Sequence, residues 1–174
     1  MMSSNVDASR VTLRRFSAAD LPDFMEWATD DNVTKTLVWD SYESQEQGLK
    51  FLNSVAIPHP WLKAICVDGR AVGSISLEKG QCMMDSCRAT LGYCIAKKYW
   101  GQGIMTIAVK LALSTGFQDL DVVRIEALVQ LSNSASRRVL EKAGFQLEGT
   151  LLKYIVIKGQ VRDCFLFAAF RPAC

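Results

Sequence analysis

Histidine is nearly missing from this sequence: the one present, His59, sits in Pro58-His59-Pro60. A Ser/His/Asp triad or a histidine-rich zinc site therefore has little to stand on. Six cysteines, Cys66, Cys82, Cys87, Cys94, Cys164 and Cys174, form no C-x-x-C pair, and several lie inside apolar runs. That is the pattern of small core side chains in a reducing compartment, and no metal is expected. No stretch approaches the ~18 consecutive apolar residues that span a bilayer. Met1 to Arg10 has no hydrophobic run of the signal-peptide type, and Asp7 followed by a strand near Val11 leaves little room for a transit peptide. A soluble, cytoplasmic protein without a membrane partner is expected. A formal charge of +2 and the lack of a Lys/Arg cluster argue against a nucleic-acid partner. Internal repeats and low-complexity linkers are also missing.

What is present is apolar bulk: 174 residues that are 49% hydrophobic and 22% charged suffice for one domain with a substantial core. The expected unit is residues 1–174, with about 1–9 as a flexible N-terminal segment. The stretch Tyr99-Trp100-Gly101-Gln102-Gly103-Ile104-Met105-Thr106 organises it, because an apolar run leads in and an amphipathic run leaves. It reads as strand, glycine turn and helix start. Gly101 and Gly103 let the backbone pass close to a bulky anion, and the first N–H groups of a helix lack intrahelical partners. Phosphate binding and a plain tight turn both satisfy this stretch taken alone.

In chain order, Arg10 to Phe16 alternates as a half-buried strand, and Ser17-Ala18-Ala19-Asp20 caps a helix reaching about Thr29, with Leu21, Phe24, Met25 and Ala28 on its buried face. Asp30-Asp31-Asn32 breaks it, an irregular segment through Thr36 to Trp39 follows, and a second helix covers about Ser44 to Val55. Pro58 and Pro60 end that helix. Trp61 to Val67 and Ala71 to Leu77 form an antiparallel hairpin around Asp68-Gly69. Arg88 to Ala96 is the strand entering the glycine turn. The helix beyond carries Ile107, Val109, Leu111, Ala112, Leu113 and Phe117, too widely spread for one narrow buried face. Val122 to Val129 then lies parallel to the strand before the turn. Asn133 or Ser134 caps a helix ending at Gly144, and Phe145 to Ile157 with Val161 to Phe170 closes the chain as a hairpin. The whole is one mixed α/β domain.

Five segments in this order resemble the GNAT superfamily of acyl-CoA-dependent N-acetyltransferases: Leu91-Gly92-Tyr93-Cys94-Ile95, Tyr99-Trp100-Gly101-Gln102-Gly103, Arg124-Ile125-Glu126-Ala127, Asn133-x-x-Ser136, and Glu141-Lys142-Ala143-Gly144-Phe145. The ribosomal-protein N-terminal alanine acetyltransferase branch is the most similar. The resemblance implies a single domain with a mostly antiparallel sheet, a central splayed parallel strand pair and flanking helices. It implies acetyl-CoA as co-substrate, its pyrophosphate on the backbone of Gly101, Gln102, Gly103, Ile104, Met105 and Thr106 and its pantetheine arm along Cys94-Ile95 and near Asn133. Trp100 and Met105 replace the Arg/Gln and the final small residue of the family's turn. In the family a bulge splays the strand pair, and the acetyl group enters the gap.

Aminolysis of a thioester needs an oxyanion donor, a group for the leaving thiolate and a neutral amine. The resemblance assigns the first to a backbone N–H near Ile95. For the second, many members use a Tyr seven residues after the Asn, where this chain has Leu140, so Ser136 takes the role here; a first-turn serine bonding its own helix is the plainer reading. For the third, the strand before the turn carries Ala89-Thr90-Leu91 instead of a Glu, leaving Glu126, Asp163, Glu78 and Asp85. An α-amine of pKa about 7.8 loses only about 0.7 kcal/mol to deprotonation at pH 7.4, a lysine of about 10.4 loses about 4 kcal/mol. Water suffices for the former, which favours a protein or peptide N-terminus. Trp39 and Tyr154 fall in the segments that shape the acceptor site. A small amine or polyamine is the alternative acceptor, drawing on Asp30, Asp31, Asp40, Glu43 and Glu46, and a CoA-holding module without turnover is the alternative of another class. A dinucleotide oxidoreductase is disfavoured, since Asp119 and Asp121 precede the next strand instead of ending it. The sequence carries no signal of oligomeric state.

Overall fold

Alternation of apolar and polar side chains begins at Val11 and returns in seven segments, which join into one mixed sheet. The computed structural model describes residues 6–172. Its strands are β1 (Val11–Arg15), β2 (Leu62–Val67), β3 (Arg70–Lys79), β4 (Arg88–Ile95), β5 (Arg124–Gln130), β6 (Gln146–Ile157) and β7 (Gln160–Phe170), and its α-helices are α1 (Leu21–Ala28), α2 (Asp31–Thr34), α3 (Gln45–Phe51), α4 (Ile104–Asp119) and α5 (Ser134–Ala143). The spatial order is β1-β2-β3-β4-β5-β7-β6, and every neighbouring pair is antiparallel except β4 with β5. A parallel pair needs a long crossover, and α4 supplies it. The expected single α/β domain with a central parallel pair is what the chain forms.

Two apolar clusters cover the two faces of the sheet. Ile65, Ile75, Leu77 and Leu91 pack with Ile104, Ala108 and Ala112 of α4 and Leu140 of α5; Ala64, Cys66 and Ala71 pack with Phe24 and Trp27 of α1 and with Leu52. The buried side of α4 is narrower than its composition suggests: Ile104, Met105, Ala108, Val109, Ala112, Gly116 and Phe117 form one stripe, while Ile107, Leu111 and Leu113 are only partly covered. A Cβ at Gly116 would lie 2.3 Å from Leu77 Cδ1, so a larger residue in that stripe would push the buried Leu77 side chain aside.

Local chemistry sets the helix ends. Asp20 accepts from Ser17 N–H at 2.8 Å ahead of α1, whose first turn holds Pro22. Asp30-Asp31-Asn32 does more than break α1: the Asp30 carboxylate accepts from Asn32 N–H at 2.9 Å and starts the short α2. The helix expected over Ser44 to Val55 occurs as α3, capped by Ser44, running into a π-helical turn over Leu52–Ala56. Of the nine N-terminal residues expected to be flexible, 1–5 lie outside the described residues; Ala8–Arg10 forms a 3-10 turn capped by Asp7, and Val6 N–H donates to Gln102 O at 3.0 Å. Five cysteines are free thiols, and Cys174 lies outside the described residues. Among the described residues no helix is long and apolar enough to cross a membrane.

Candidate active site

The site begins where β4 and β5 part. They pair only at Arg88↔Arg124, Ala89↔Ile125 and Thr90↔Glu126. Beyond Thr90, β4 stays with β3 as far as Ile95↔Gly73, and β5 stays with β7 as far as Gln130↔Cys164, so a gap opens through the sheet. The guanidinium groups of Arg88 and Arg124 both bond the Glu126 carboxylate and tie the closed end. The ladder from Ala89 to Ile95 has no register shift, so the strands diverge without the bulge expected in β4. Gly73 permits that path, since a Cβ at this position would lie 2.3 Å from the Cys94 carbonyl oxygen.

The register also fixes which backbone groups face the gap. Ala96 N–H donates to Val72 O and Gly80 N–H to Arg88 O, and antiparallel bonding alternates along a strand. Leu91, Tyr93 and Ile95 therefore turn their N–H and C=O groups away from β3, toward the gap. The Ile95 carbonyl accepts from the Trp100 indole at 3.0 Å, which leaves its N–H as the outward-facing donor. Cys94 turns its backbone to β3 and its thiol to Ser74 Oγ, 3.2 Å away, and burial pushes that thiol's pKa up.

At the open end of β4 lies the glycine turn. Gly101 and Gly103 have φ of 74° and 79°, in the left-handed region that favours glycine. Gly103 stands at the N-cap of α4 with no side chain capping the helix, and its carbonyl accepts from Ile107 N–H at 3.2 Å. The N–H groups of Ile104, Met105 and Thr106 thus have no acceptor within the helix. Gln102 is held by its own side chain, which donates to Lys98 O at 2.8 Å. An uncapped sixteen-residue helix behind two positive-φ glycines fits a pyrophosphate, with the helix dipole adding about 0.3–1 kcal/mol.

On the α4–α5 face of the gap, Asn133 caps α5 by accepting from Ser136 N–H at 3.1 Å. Ser136 Oγ lies 2.7 Å from the hydroxyl of Tyr93, which also donates to Ser136 O at 3.3 Å. Burial pushes the Tyr93 pKa up to about 12 against the pull of the Ser136 bond, so the phenol keeps its proton. Tyr93 was not singled out by the sequence as a functional residue. Its cue was parity: it lies two residues from Ile95, on the same edge.

On the opposite face a cavity of about 500 Å³ runs from the gap to α1 and α3. Its walls include Phe24, Leu37, Trp39, Tyr42, Phe51 and Val55, and it reaches Ser136 and Asn133 through the gap. Phe24 stacks on Phe51 at 5.3 Å and meets Tyr42 edge-on at 5.6 Å, which stiffens the wall. Trp39 is among the residues that line this cavity. Tyr154 is 59% exposed, and it is Ile155 and Ile157 that line the cavity from β6.

The four carboxylates left open by the sequence have separate places. Glu126 is held by Arg88 and Arg124; Asp163 accepts from Lys153 N–H at 2.7 Å; Asp85 accepts from Cys82 N–H at 2.9 Å. Glu78 alone lines the cavity. Its Oε1 lies 2.6 Å from His59 Nε2, and His59 Nδ1 accepts from Trp61 N–H at 3.0 Å. The carboxylates considered for a polyamine are dispersed: Asp30 caps α2, Asp31 accepts from Ser41 Oγ at 2.5 Å, and Asp40 pairs with Lys158 at 3.2 Å.

Comparison with known proteins adds an independent line. Residues 10–146 match the family model of the acetyltransferase (GNAT) domain. An uncharacterized N-acetyltransferase, p20 of Bacillus licheniformis, is 26% identical over 173 residues, covering 93% of each chain. The fold superposes on a GNAT-family acetyltransferase from Bacillus anthracis with a TM-score of 0.83 at 24% identity, covering 95% of this chain and 97% of that one. It also superposes on RimL, a ribosomal L7/L12 alpha-N-protein acetyltransferase solved in complex with coenzyme A, with a TM-score of 0.78 at 22% identity over 93% and 94% of the two chains. The split strand pair, the glycine turn and the family match agree: this chain belongs to the GNAT family and is an acetyl-CoA-dependent N-acetyltransferase.

Proposed function

We propose that the protein moves the acetyl group of acetyl-CoA to the α-amine of a protein or peptide N-terminus by direct aminolysis. The observation that carries this reading is the gap between β4 and β5, which joins the Tyr93–Ser136 hydroxyl pair on one face to an aromatic-walled cavity with a single carboxylate on the other. The backbone from Gly101 to Thr106 would hold the pyrophosphate, and the β4 edge at Cys94-Ile95, with Asn133, would hold the pantetheine arm. Ile95 N–H faces the place where negative charge develops on the carbonyl oxygen, and a donor fixed in advance there is the largest electrostatic contribution such a site makes. Ser136 donates to the departing thiolate from the α5 side while the amine attacks from the cavity side. Trp39 flanks the incoming acceptor.

An amine that is already about a quarter neutral at pH 7.4 needs little help from a base, which fits a site where Glu126, Asp163 and Asp85 are engaged elsewhere. The test is the pH dependence of kcat/KM: log(kcat/KM) should rise with pH and level off near the acceptor's own α-amine pKa, about 7.8, and the inflection should move with peptides of more acidic α-amines. An inflection that stays fixed as the peptide is changed would contradict the reading. A small-amine acceptor would show itself by spermidine turning over well below about pH 9, where its nitrogens are charged.

A further inference from the structure

Glu78 is the one carboxylate, and with His59 the one titratable contact other than tyrosine and cysteine, in the wall of the acceptor cavity. Every other wall residue is apolar, aromatic, a neutral amide, an alcohol or a thiol. Among the described residues no Lys or Arg lines the cavity beside Glu78, whose side chain is 59% exposed. Its place is informative as well. Glu78 stands opposite Thr90 in the β3–β4 ladder, and Thr90 is the last residue of β4 to pair with β5, so Glu78 flanks the closed end of the gap. Ser74 and Ser76, which alternate with it on β3, lead along the cavity from that point toward Cys94.

His59 determines how Glu78 is presented. Because Nδ1 accepts from Trp61 N–H, the ring's hydrogen is on Nε2, and Nε2–H donates to Glu78 Oε1. The imidazole thus donates through Nε2 and orients one carboxylate oxygen. The other oxygen has acceptor capacity for a ligand.

We infer that Glu78, oriented by His59, receives the acceptor's amine, and that the acceptor is a primary amine with a single nitrogen to be held and an apolar or aromatic body beside it. This rests on the acetyl-transfer reading above and names its substrate class. The carboxylate, 59% exposed, accepts N–H hydrogen bonds from the arriving amine, and the nitrogen then passes along the Ser76 and Ser74 side toward the reacting carbonyl at Ile95, five positions beyond Thr90 on β4. The side chain next to that amine lies against Phe24, Trp39, Tyr42 and Phe51. A polyamine's second ammonium meets no second carboxylate in this cavity; Asp40 and Glu43 border a separate depression that shares Trp39, Tyr42 and Phe51 with it.

The test compares wild type, Glu78→Gln and His59→Ala in steady-state transfer from acetyl-CoA to peptides beginning with Leu or Phe, peptides beginning with Asp, and spermidine. Glutamine keeps an oxygen for His59 and removes only the charge, so Glu78→Gln should raise KM for the Leu and Phe peptides about 10–100-fold while KM for acetyl-CoA stays within about twofold. His59→Ala should shift the same parameter in the same direction by a smaller factor. Wild type should prefer the Leu and Phe peptides to both other acceptors. An acceptor KM unchanged in Glu78→Gln overturns the role of Glu78, and spermidine or the Asp peptide serving as well as the Leu peptide overturns the substrate class. Wild type moving acetyl to none of these amines overturns the transfer reading itself, which separates that failure from the other two.

Discussion

Removing the Tyr93 hydroxyl is the most discriminating perturbation of the proposed chemistry, because the residue contacts Ser136 and lies on the strand that borders the gap. Tyr93→Phe deletes one bond of 2.7 Å to Ser136 Oγ and a longer one of 3.3 Å to Ser136 O. Loss of a buried neutral hydrogen bond costs about 0.5–1.5 kcal/mol of stability, so the variant should fold. In the wild type the Tyr93 phenol, pushed up to about 12 by burial, is protonated throughout the working range, and when its one hydrogen goes to Ser136 Oγ instead of the longer bond to Ser136 O, the serine's own hydrogen turns outward. If that hydrogen serves the departing thiolate, Ser136→Ala should lower kcat roughly 10–1,000-fold with acetyl-CoA affinity little changed. Tyr93→Phe should lower kcat by a smaller factor, and the double variant should be no slower than Ser136→Ala alone. The corresponding coupling energy is about 1–2 kcal/mol, within the range seen for residues in direct contact. Single-turnover rates on all four proteins measure it. Fully additive effects, or a Ser136→Ala loss of rate matched by an equal loss of thermal stability, would refute a catalytic Ser136 and leave it as a helix-capping residue.

Three other outcomes follow from the packing and the charges. Gly103→Glu should abolish the rise in melting temperature that acetyl-CoA gives the wild type, a rise corresponding to about 2.7 kcal/mol at a hundredfold excess over Kd, by placing a like charge and a strained φ at the phosphate seat; an undiminished shift would remove the turn from the binding site. Gly116→Ala should destabilise the fold by about 1–3 kcal/mol in chemical denaturation, because its Cβ meets Leu77 Cδ1 in the packed layer between α4 and β3. Asp20 is buried, and Arg14 beside it, bonded at 2.6 and 2.8 Å, holds its pKa below the usual carboxylate value. A depressed folded-state pKa gives stability that is present above the unfolded value of about 3.9 and is lost as pH falls through the folded one. Asp20→Asn should therefore be less stable than wild type at pH 7, with the difference shrinking below about pH 4 in urea titrations.

Periodicity and turn chemistry made most of the fold legible. Asp68-Gly69 and Lys158-Gly159 placed two hairpins, and both glycines have positive φ, as those turns require. Gly101 and Gly103 were readable for the same reason: their conformations are local, and residues with a Cβ pay for them. Asp30-Asp31-Asn32 was half legible, since an Asp that ends one helix also caps the next, and only the chain's direction afterwards decides between the two roles. The splay of β4 from β5 followed from resemblance; its cause did not, because the divergence depends on what each strand pairs with on its other side. Tyr93 and Ser136 are 43 residues apart, and His59 and Glu78 are 19 apart, so both pairs exist only once the sheet and its flanking elements are assembled. Tyr154 shows the opposite limit. A single step of strand parity, shifted by the irregularity between Leu151 and Ile155, decides whether it or Ile155 faces the cavity.

The measurement that bears most directly on the central claim is transfer from labelled acetyl-CoA to a library of N-terminal peptides offered together with spermidine and free lysine, with the position of the label read by mass spectrometry. The account predicts label on peptide α-amines, concentrated in peptides with an apolar first residue, and little on spermidine or on lysine side chains at pH 7.4. Label concentrated on spermidine or on lysine ε-amines, or no label on any amine while acetyl-CoA still stabilises the protein, would contradict it.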